Sequence, residues 1–344
     1  MSTKKSFYNF SYLHLINDSD VSRGGAQKIL NLLTNDDVGT LTLKDSLIKF
    51  KLGVLLWQFF LVFFCNLINR PKCVFIHSRC YLPFSCVFRL FGVEVVFYTH
   101  AHYRSHRWLF KYFRCNHYIA VSQAVAVSLK KQGVESSLIK VIPNPYFGEE
   151  YYEIIHDNLN YNSFASVGSL RAWKGFKEAI NLLGLISVKY DNKFVYSIVG
   201  EGSERKSLSL AADSHPNIEL VLRGFQEHPF ETLRDSPFII IPSLEEGFGL
   251  VAIESIFQHK IVIYSDVPAL REICGQDPLS FSFNINSHES FEKAVNKAKS
   301  FSDSLSDIKV LIQRQAYIKK HFGLAAFYAN HNKFLIEVCS SELY

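Results

Sequence analysis

Phe238-Ile239-Ile240-Ile241 runs straight into Pro242-Ser243-Leu244-Glu245-Glu246-Gly247-Phe248-Gly249-Leu250, and then into Val251-Ala252-Ile253-Glu254-Ser255-Ile256-Phe257-Gln258. Four apolar residues stopped by a proline predict a short buried strand, and the segment from Gly249 to about Gln258 predicts a helix. Gly247 and Gly249 at the helix start let the backbone approach a ligand closely, and the first-turn amides have no partner within the helix. Those amides and the helix dipole make an anion site suited to a diphosphate. Within the helix Leu250, Val251, Ala252, Ile253, Ile256 and Phe257 are apolar and Glu254 is the sole charge. A carboxylate set among apolar neighbours needs a partner, for which the sugar hydroxyls of a bound nucleotide would serve. The plainer alternative is a glycine-rich turn with a glutamate paired to some arginine.

Outward from this unit, short apolar runs alternate with helix-like segments, the pattern of parallel sheets with crossover helices. In the first half the expected strands are Tyr12–Ile16, Cys73–His77, Val93–Thr99, Tyr118–Val121 and Val141–Ile142. In the second half they are Phe164–Val167, Tyr196–Val199, Glu219–Leu222, Phe238–Ile241 and Ile261–Tyr264. Pro143-Asn144-Pro145 stops regular structure, so a boundary is expected between Asn144 and Asn162. The expected organisation is α/β: a Rossmann-like, doubly wound parallel-sheet domain over 1–150 and a second over 151–325. A last helix within 326–344 would cross back to the first domain. Two such domains would enclose a cleft at the carboxyl ends of both sheets, where open α/β sheets bind ligands.

The 344 residues are about right for two domains, and 48% apolar with 20% charged residues is ordinary for a folded protein. The net charge of +5 hides an asymmetry: residues 1–150 hold 18 basic and 9 acidic residues, and the remainder 19 and 23. A basic first half suits an anionic surface or ligand, or is simply a solvated basic face. The seven cysteines contain no C-x-x-C pair and no secretory leader precedes them, which implies a reducing, cytoplasmic setting. Leu52–Cys65, interrupted only by Gln58, is too short to span a bilayer and is expected to be a core or interfacial helix.

Glu246 and Glu254, eight apart in an E-G-F-G-L-x-x-x-E context, resemble the paired-glutamate motif of retaining glycosyltransferases of the GT-B fold, family four or group one. Ser166-Val167-Gly168-Ser169-Leu170 with Lys174-Gly175 is similar to that family's phosphate-contacting loop. Ile198-Val199-Gly200-Glu201-Gly202-Ser203, Arg223-Gly224-Phe225 and Pro268-Ala269-Leu270-Arg271-Glu272-Ile273 resemble further family segments. Nearly all of residues 163–275 is covered. In the first half Arg23-Gly24-Gly25-Ala26 resembles the family's Gly-Gly loop facing the donor phosphates, and His100 matches a histidine near the reacting sugar. Two departures stand out: Ser169 sits where many relatives have arginine, with Arg171 or Lys174 the candidate replacements, and His259 replaces a common glycine.

The resemblance implies transfer of a sugar from a nucleotide-diphosphate donor to a saccharide or lipid-linked acceptor, in bacterial surface polysaccharide assembly. Glu246 would lie beside the transferred sugar, Glu254 on the donor ribose, and His100 on a donor-sugar hydroxyl or carbonyl. Gly24, Gly25, Ser169, Arg171, Lys174, Gly200, Arg223, Gly247, Phe248, Gly249 and Leu250 would complete the donor site. Breaking a sugar–phosphate bond leaves negative charge on the departing diphosphate. The one Asp-x-Asp triplet, Asp18-Ser19-Asp20, follows the first strand and reads as a polar loop, so no metal or other cofactor is expected. Fixed cations and helix amides would then stabilise the leaving group. Contact with an anionic membrane at the inner face of the cytoplasmic membrane is expected, and nucleic-acid binding is not, since no recognition motif accompanies the basic half. His100, His102 and His106 lack a companion with ligand spacing for zinc. Neither a G-x-S-x-G elbow nor a G-x-x-x-x-G-K-[ST] loop occurs. The rival readings are an epimerase or phosphorylase on the same scaffold, and a non-catalytic nucleotide-sugar-binding protein.

Overall fold

The computed structural model describes residues 12–17, 25–33, 38–42, 58–60, 63, 70–103, 107–146 and 159–339. The chain divides into two units, Met1–Pro145 with Phe327–Tyr344, and Tyr146–Ala326, so the break follows Pro143-Asn144-Pro145 directly. Each unit holds a six-stranded sheet. All described strand pairs are parallel.

The first unit runs β1 (Tyr12–Ile16), α1 (Gly25–Leu33), β2 (Val38–Thr42), β3 (Cys73–Ile76), α2 (Phe84–Leu90), β4 (Glu94–Thr99), α3 (Arg107–Tyr112), β5 (His117–Ala120), α4 (Gln123–Lys131) and β6 (Ile139–Val141). Its strand order is β2-β1-β3-β4-β5-β6, so the winding reverses between β1 and β3. Val74, Val95, Val96 and Ile119 are wholly buried, as strands covered on both faces require. Ser122 ends the turn after β5 and caps α4 by accepting from the Val125 amide at 3.1 Å.

The second unit runs β7 (Ser163–Val167), α5 (Phe176–Lys189), β8 (Phe194–Val199), α6 (Arg205–Asp213), β9 (Ile218–Gly224), α7 (Pro229–Thr232), β10 (Phe238–Ile241), α8 (Leu250–Phe257), β11 (Ile261–Ser265), α9 (Pro268–Cys274), β12 (Ser280–Phe283), α10 (His288–Ser300) and α11 (Ile308–Phe322). A last helix, α12 (Leu324–Cys339), belongs to the first unit from Phe327 onward. The order β12-β11-β10-β7-β8-β9 reverses between β7 and β10. Phe164 holds the centre of the core, with ring centroids 5.3 Å from both Phe194 and Phe238. Each such ring removed from water contributes about 1.5–3 kcal/mol.

Two strands lie outside the expected set, β2 and β12, and both are sheet edges. Ser280-Phe281-Ser282-Phe283 alternates polar and apolar residues, with the two phenylalanines buried, the signature of a half-covered edge rather than of a continuous apolar run. His259, at the position where the resemblance implies a glycine, adopts a positive φ of 55° after α8. Histidine is among the residues that tolerate the left-handed region, so the tight turn into β11 survives the exchange.

Candidate active site

The site-forming residues of the second unit gather where its winding reverses. Strands β7 and β10 are neighbours there, and their chain connections leave in opposite directions, opening a crevice beyond their carboxyl ends. From the β7 side comes a short 3-10 turn, Ala172–Lys174, ended by Gly175 at φ 70°. From the β10 side comes Pro242–Gly249. The two are stitched by the Leu244 amide, which donates to the Trp173 carbonyl at 2.9 Å. A Cβ on Gly175 would lie 1.9 Å from the Pro242 carbonyl oxygen, so only glycine allows this approach.

The stitching brings Lys174 onto Glu246. Lys174 Nζ donates to Glu246 Oε2 at 2.6 Å, and the two side chains are only 14% and 12% exposed. Ser243 Oγ donates to the same oxygen at 3.2 Å, and the Lys174 ammonium lies 4.4 Å from the Trp173 ring centroid. A largely buried carboxylate and cation are thus fixed in place by two hydrogen bonds and an aromatic face. Gly249, at φ 107°, opens α8 and, being glycine, brings no side chain of its own to cap the helix start. Phe248 is buried against Phe322 and anchors the turn, while Gly247, Leu250 and Glu254 are half-buried along it.

Around this pair the neighbouring strand ends are joined backbone to backbone. The Gly168 amide donates to the Val199 carbonyl, Leu170 to Glu201, and Gly200 to Gly224, at 2.9, 2.9 and 2.7 Å. Gly200 admits no side chain, since a Cβ would stand 1.9 Å from the Gly168 oxygen. Arg223 at the end of β9 donates from Nε to Ser197 Oγ at 3.3 Å, and Ser169 and Arg171 are exposed on the loop after β7.

Of the first unit's candidates, Gly25 opens α1, and Gly24, Asp18–Asp20 and His106 lie outside the described residues. His100 follows β4 and stacks on Tyr98, with ring planes 3° apart. Its Nε2 lies 3.0 Å from His77 Nδ1, and His77 Nε2 lies 2.8 Å from His14 Nδ1. Burial drives His14 and His100 down to about 3 and His77 well below the usual imidazole range, so all three are neutral near pH 7. Of Leu52–Cys65, only Gln58–Phe60 and Phe63 are described. Gln58 is buried and accepts from the Tyr81 hydroxyl at 3.0 Å, while Phe60 is exposed. No helix among the described residues is long and apolar enough to cross a membrane.

Ser243, Trp173 and His14 were not singled out in the sequence. Ser243 gives no signal beyond its place three residues before Glu246. His14 does carry one: it is the lone polar residue in the strand Tyr-Leu-His-Leu-Ile.

Comparison with known proteins gives matches in both units. Residues 149–311 match the family model described as glycosyl transferases group 1, and residues 43–146 match that described as glycosyltransferase family 4. The chain is 23% identical over 203 residues to the O-antigen chain mannosyltransferase RfbU of Salmonella typhimurium, covering 58% of this chain and 56% of that one. It is 27% identical over 170 residues to a Campylobacter jejuni protein named N-acetylgalactosamine-N,N'-diacetylbacillosaminyl-diphospho-undecaprenol 4-alpha-N-acetylgalactosaminyltransferase, covering 44% and 45%. These matches span about half the length of the two relatives. Among solved structures, the lipopolysaccharide outer core galactosyltransferase WaaB superimposes with a TM-score of 0.72 at 14% identity, over 95% of this chain and 99% of that one. Anabaena HepE, in complex with UDP and glucose, gives 0.70 at 14% identity over 95% and 99%. At such identities the structures establish the fold alone.

Proposed function

Since the chain belongs to the family-four, group 1 glycosyltransferases of the GT-B fold, we propose that it transfers a sugar, with retention of anomeric configuration, from a nucleotide-diphosphate donor to a saccharide acceptor. The observation that carries this reading is the Lys174–Glu246 pair, held at the switch point of the second sheet beside the glycine-opened start of α8. A diphosphate placed there meets an ammonium and helix-end amides, the groups that stabilise a departing anion. The bond from the anomeric carbon to the phosphate oxygen breaks, and its electron pair leaves with the diphosphate. The acceptor hydroxyl oxygen bonds to the same carbon and hands its proton to an oxygen of the departing diphosphate. Glu246 serves the transferred sugar, Glu254 the donor ribose, and His100 a sugar oxygen. Lys174 acts as a point charge, with Arg171 and Arg223 as further cations on the neighbouring loops. No metal or other cofactor takes part in this scheme.

The acceptor in this reading is a growing saccharide, carried on lipid, in bacterial surface polysaccharide assembly at the inner face of the cytoplasmic membrane. The names of the Salmonella and Campylobacter relatives support it. So does the first unit, which exposes Leu90, Trp108 and Tyr112 on α2 and α3 among Arg89, Arg107, Lys111 and Arg114. Binding to anionic vesicles that salt leaves unchanged would remove the electrostatic part of this proposal.

The deciding experiment is a donor screen by calorimetry and thermal shift with uridine, guanosine and adenosine diphosphate sugars. One of them should stabilise the protein, by roughly 2.7 kcal/mol at a hundred times its Kd. Absence of binding by all three classes would overturn the proposal.

A further inference from the structure

The first unit carries a device that none of the donor-site residues explains. His14 in β1, His77 after β3 and His100 after β4 stand on three adjacent strands at the point where the winding of that sheet reverses. Register puts them on one face: His14 pairs with Phe75, two residues before His77, and His77 continues the register to Tyr98, two before His100. Centroids are 5.1 Å apart for His14–His77 and 5.3 Å for His77–His100, with planes within 19° and 15°. The N···N distances of 2.8 and 3.0 Å are far shorter, so the rings meet edge to edge in a hydrogen-bonded row.

We propose that His77 is a positioning residue: linked to His14 on one side and His100 on the other, it fixes which nitrogen of His100 carries the proton, and thereby how His100 Nδ1 engages an oxygen of the donor sugar. The proposal rests on the reading of His100 as a sugar contact given above.

The chemistry of a neutral imidazole makes the row two-state. Each ring has one N–H and one lone pair, and each link needs one of each. If His14 donates from Nδ1, His77 accepts at Nε2, carries its proton on Nδ1 and donates to His100 Nε2. His100 then carries its proton on Nδ1. If His100 instead donates from Nε2, all three carry the proton on Nε2 and His100 Nδ1 is an acceptor. Mixed states leave two lone pairs or two N–H groups face to face. Burial keeps the rings neutral, which the scheme requires. His100 Nδ1 is itself buried and has no hydrogen-bond partner among the described residues, so its sense is open to a ligand. Phe75, which also stacks on His331 of α12, packs on His14, and Tyr98 packs on both His77 and His100. The rings therefore cannot turn to make other bonds without breaking this packing.

The test uses the full chain with ¹⁵N-labelled histidine. Two-bond ¹⁵N–¹H spectra of the wild type should show His14, His77 and His100 in one and the same neutral tautomer. A mixed set, or a protonated ring at neutral pH, overturns the proposal whether or not any variant folds. In His77→Phe and in His14→Phe, the His100 signals should move toward a mixture of tautomers. His14 lies two strands away from His100 and is linked to it through His77, so a response there is not a packing effect. In both variants Kd for the free nucleoside diphosphate should stay at the wild-type value. The extra affinity gained by the nucleotide sugar over the diphosphate should fall about two- to tenfold, the worth of one neutral hydrogen bond. An unchanged sugar increment overturns the proposal. Failure of the wild type to bind any nucleotide sugar is a different result: it sinks the donor reading and leaves the spectra to judge the row.

Discussion

Lys174 Nζ and Glu246 Oε2 lie 2.6 Å apart although 72 residues separate them in the chain. The contact exists because β7 and β10 are neighbours across the switch point, and because Gly175 lets the turn after β7 press against Pro242. An ion pair this far from water is sensitive to loss of either member. Lys174→Ala should weaken nucleoside diphosphate binding about tenfold to a hundredfold, the worth of a hydrogen bond to a charged group. Glu246→Gln should leave diphosphate affinity within a few-fold of wild type and slow transfer by about 10²-fold or more. Calorimetry and a transfer assay separate the two effects. Equal losses of binding in both variants would mean that the pair is a structural clamp.

Gly175→Ala and Gly92→Ala form a matched comparison. Both glycines have φ near 70°, but nothing lies within 4 Å of a Cβ at Gly92, while at Gly175 it would strike the Pro242 carbonyl. Gly92→Ala should therefore cost only the backbone term, about 1–2 kcal/mol. Gly175→Ala should cost clearly more and also lose diphosphate affinity, because the Trp173–Leu244 stitch must open. Urea unfolding of the two variants side by side measures the difference.

Much of this was legible beforehand, and the reason is local. β1 and β10 have the bounds expected from their apolar runs, because a covered parallel strand reads as a nearly continuous apolar run, interrupted in β1 by His14. The turn at Gly247–Gly249 announced itself because a strand stopped by proline and a helix opened by glycine are both written in neighbouring residues. Partnerships across the sheet were not legible. Nothing in the vicinity of Lys174 names Glu246, and nothing near His100 names His77 or His14; strand order creates these contacts. The edge strands β2 and β12 escaped for a related reason, since an edge is defined by its one partner more than by its own composition.

Acid should destabilise the first unit through its buried histidines. His14 is held at about 3 and His77 well below its ordinary value, against 6.5 in the unfolded chain. Between pH 6.5 and about 3 the unfolded state binds more protons, so stability is complete above 6.5 and falls as pH drops through that window. Each such group contributes a slope of up to about 1.4 kcal/mol per pH unit. The slope of unfolding free energy between pH 6.5 and 5 should be smaller in His14→Phe than in the wild type. Identical slopes would show that His14 is not buried as a neutral ring.

Arg314 and Asp277 are buried almost completely, and Arg314 donates from Nε and Nη2 to the two carboxylate oxygens at 2.7 and 3.0 Å. Nη2 also donates to the Lys260 carbonyl at 2.6 Å, tying α11 to the segment leading into β11. Arg314→Met strands a buried carboxylate and should cost about 3–5 kcal/mol, whereas Arg314→Met with Asp277→Leu should recover most of it. Thermal unfolding distinguishes the single from the double variant.

Donor binding should not depend on a divalent ion. A leaving diphosphate needs positive charge near its oxygens, and in the second unit that charge is built into the chain. Lys174 is held by Glu246 and Trp173, Arg223 is held by Ser197, and α8 opens on a glycine that brings no capping side chain. Fixed groups of this kind need no reorganisation when the anion arrives, and they are present whatever the metal concentration. Kd for the nucleoside diphosphate should therefore agree within a few-fold in excess chelator and in millimolar magnesium. In Lys174→Ala the same comparison should begin to favour magnesium, because the ion then supplies charge that the chain has lost. A wild-type protein that binds its diphosphate only in magnesium would show that the built-in cations do not reach the phosphates.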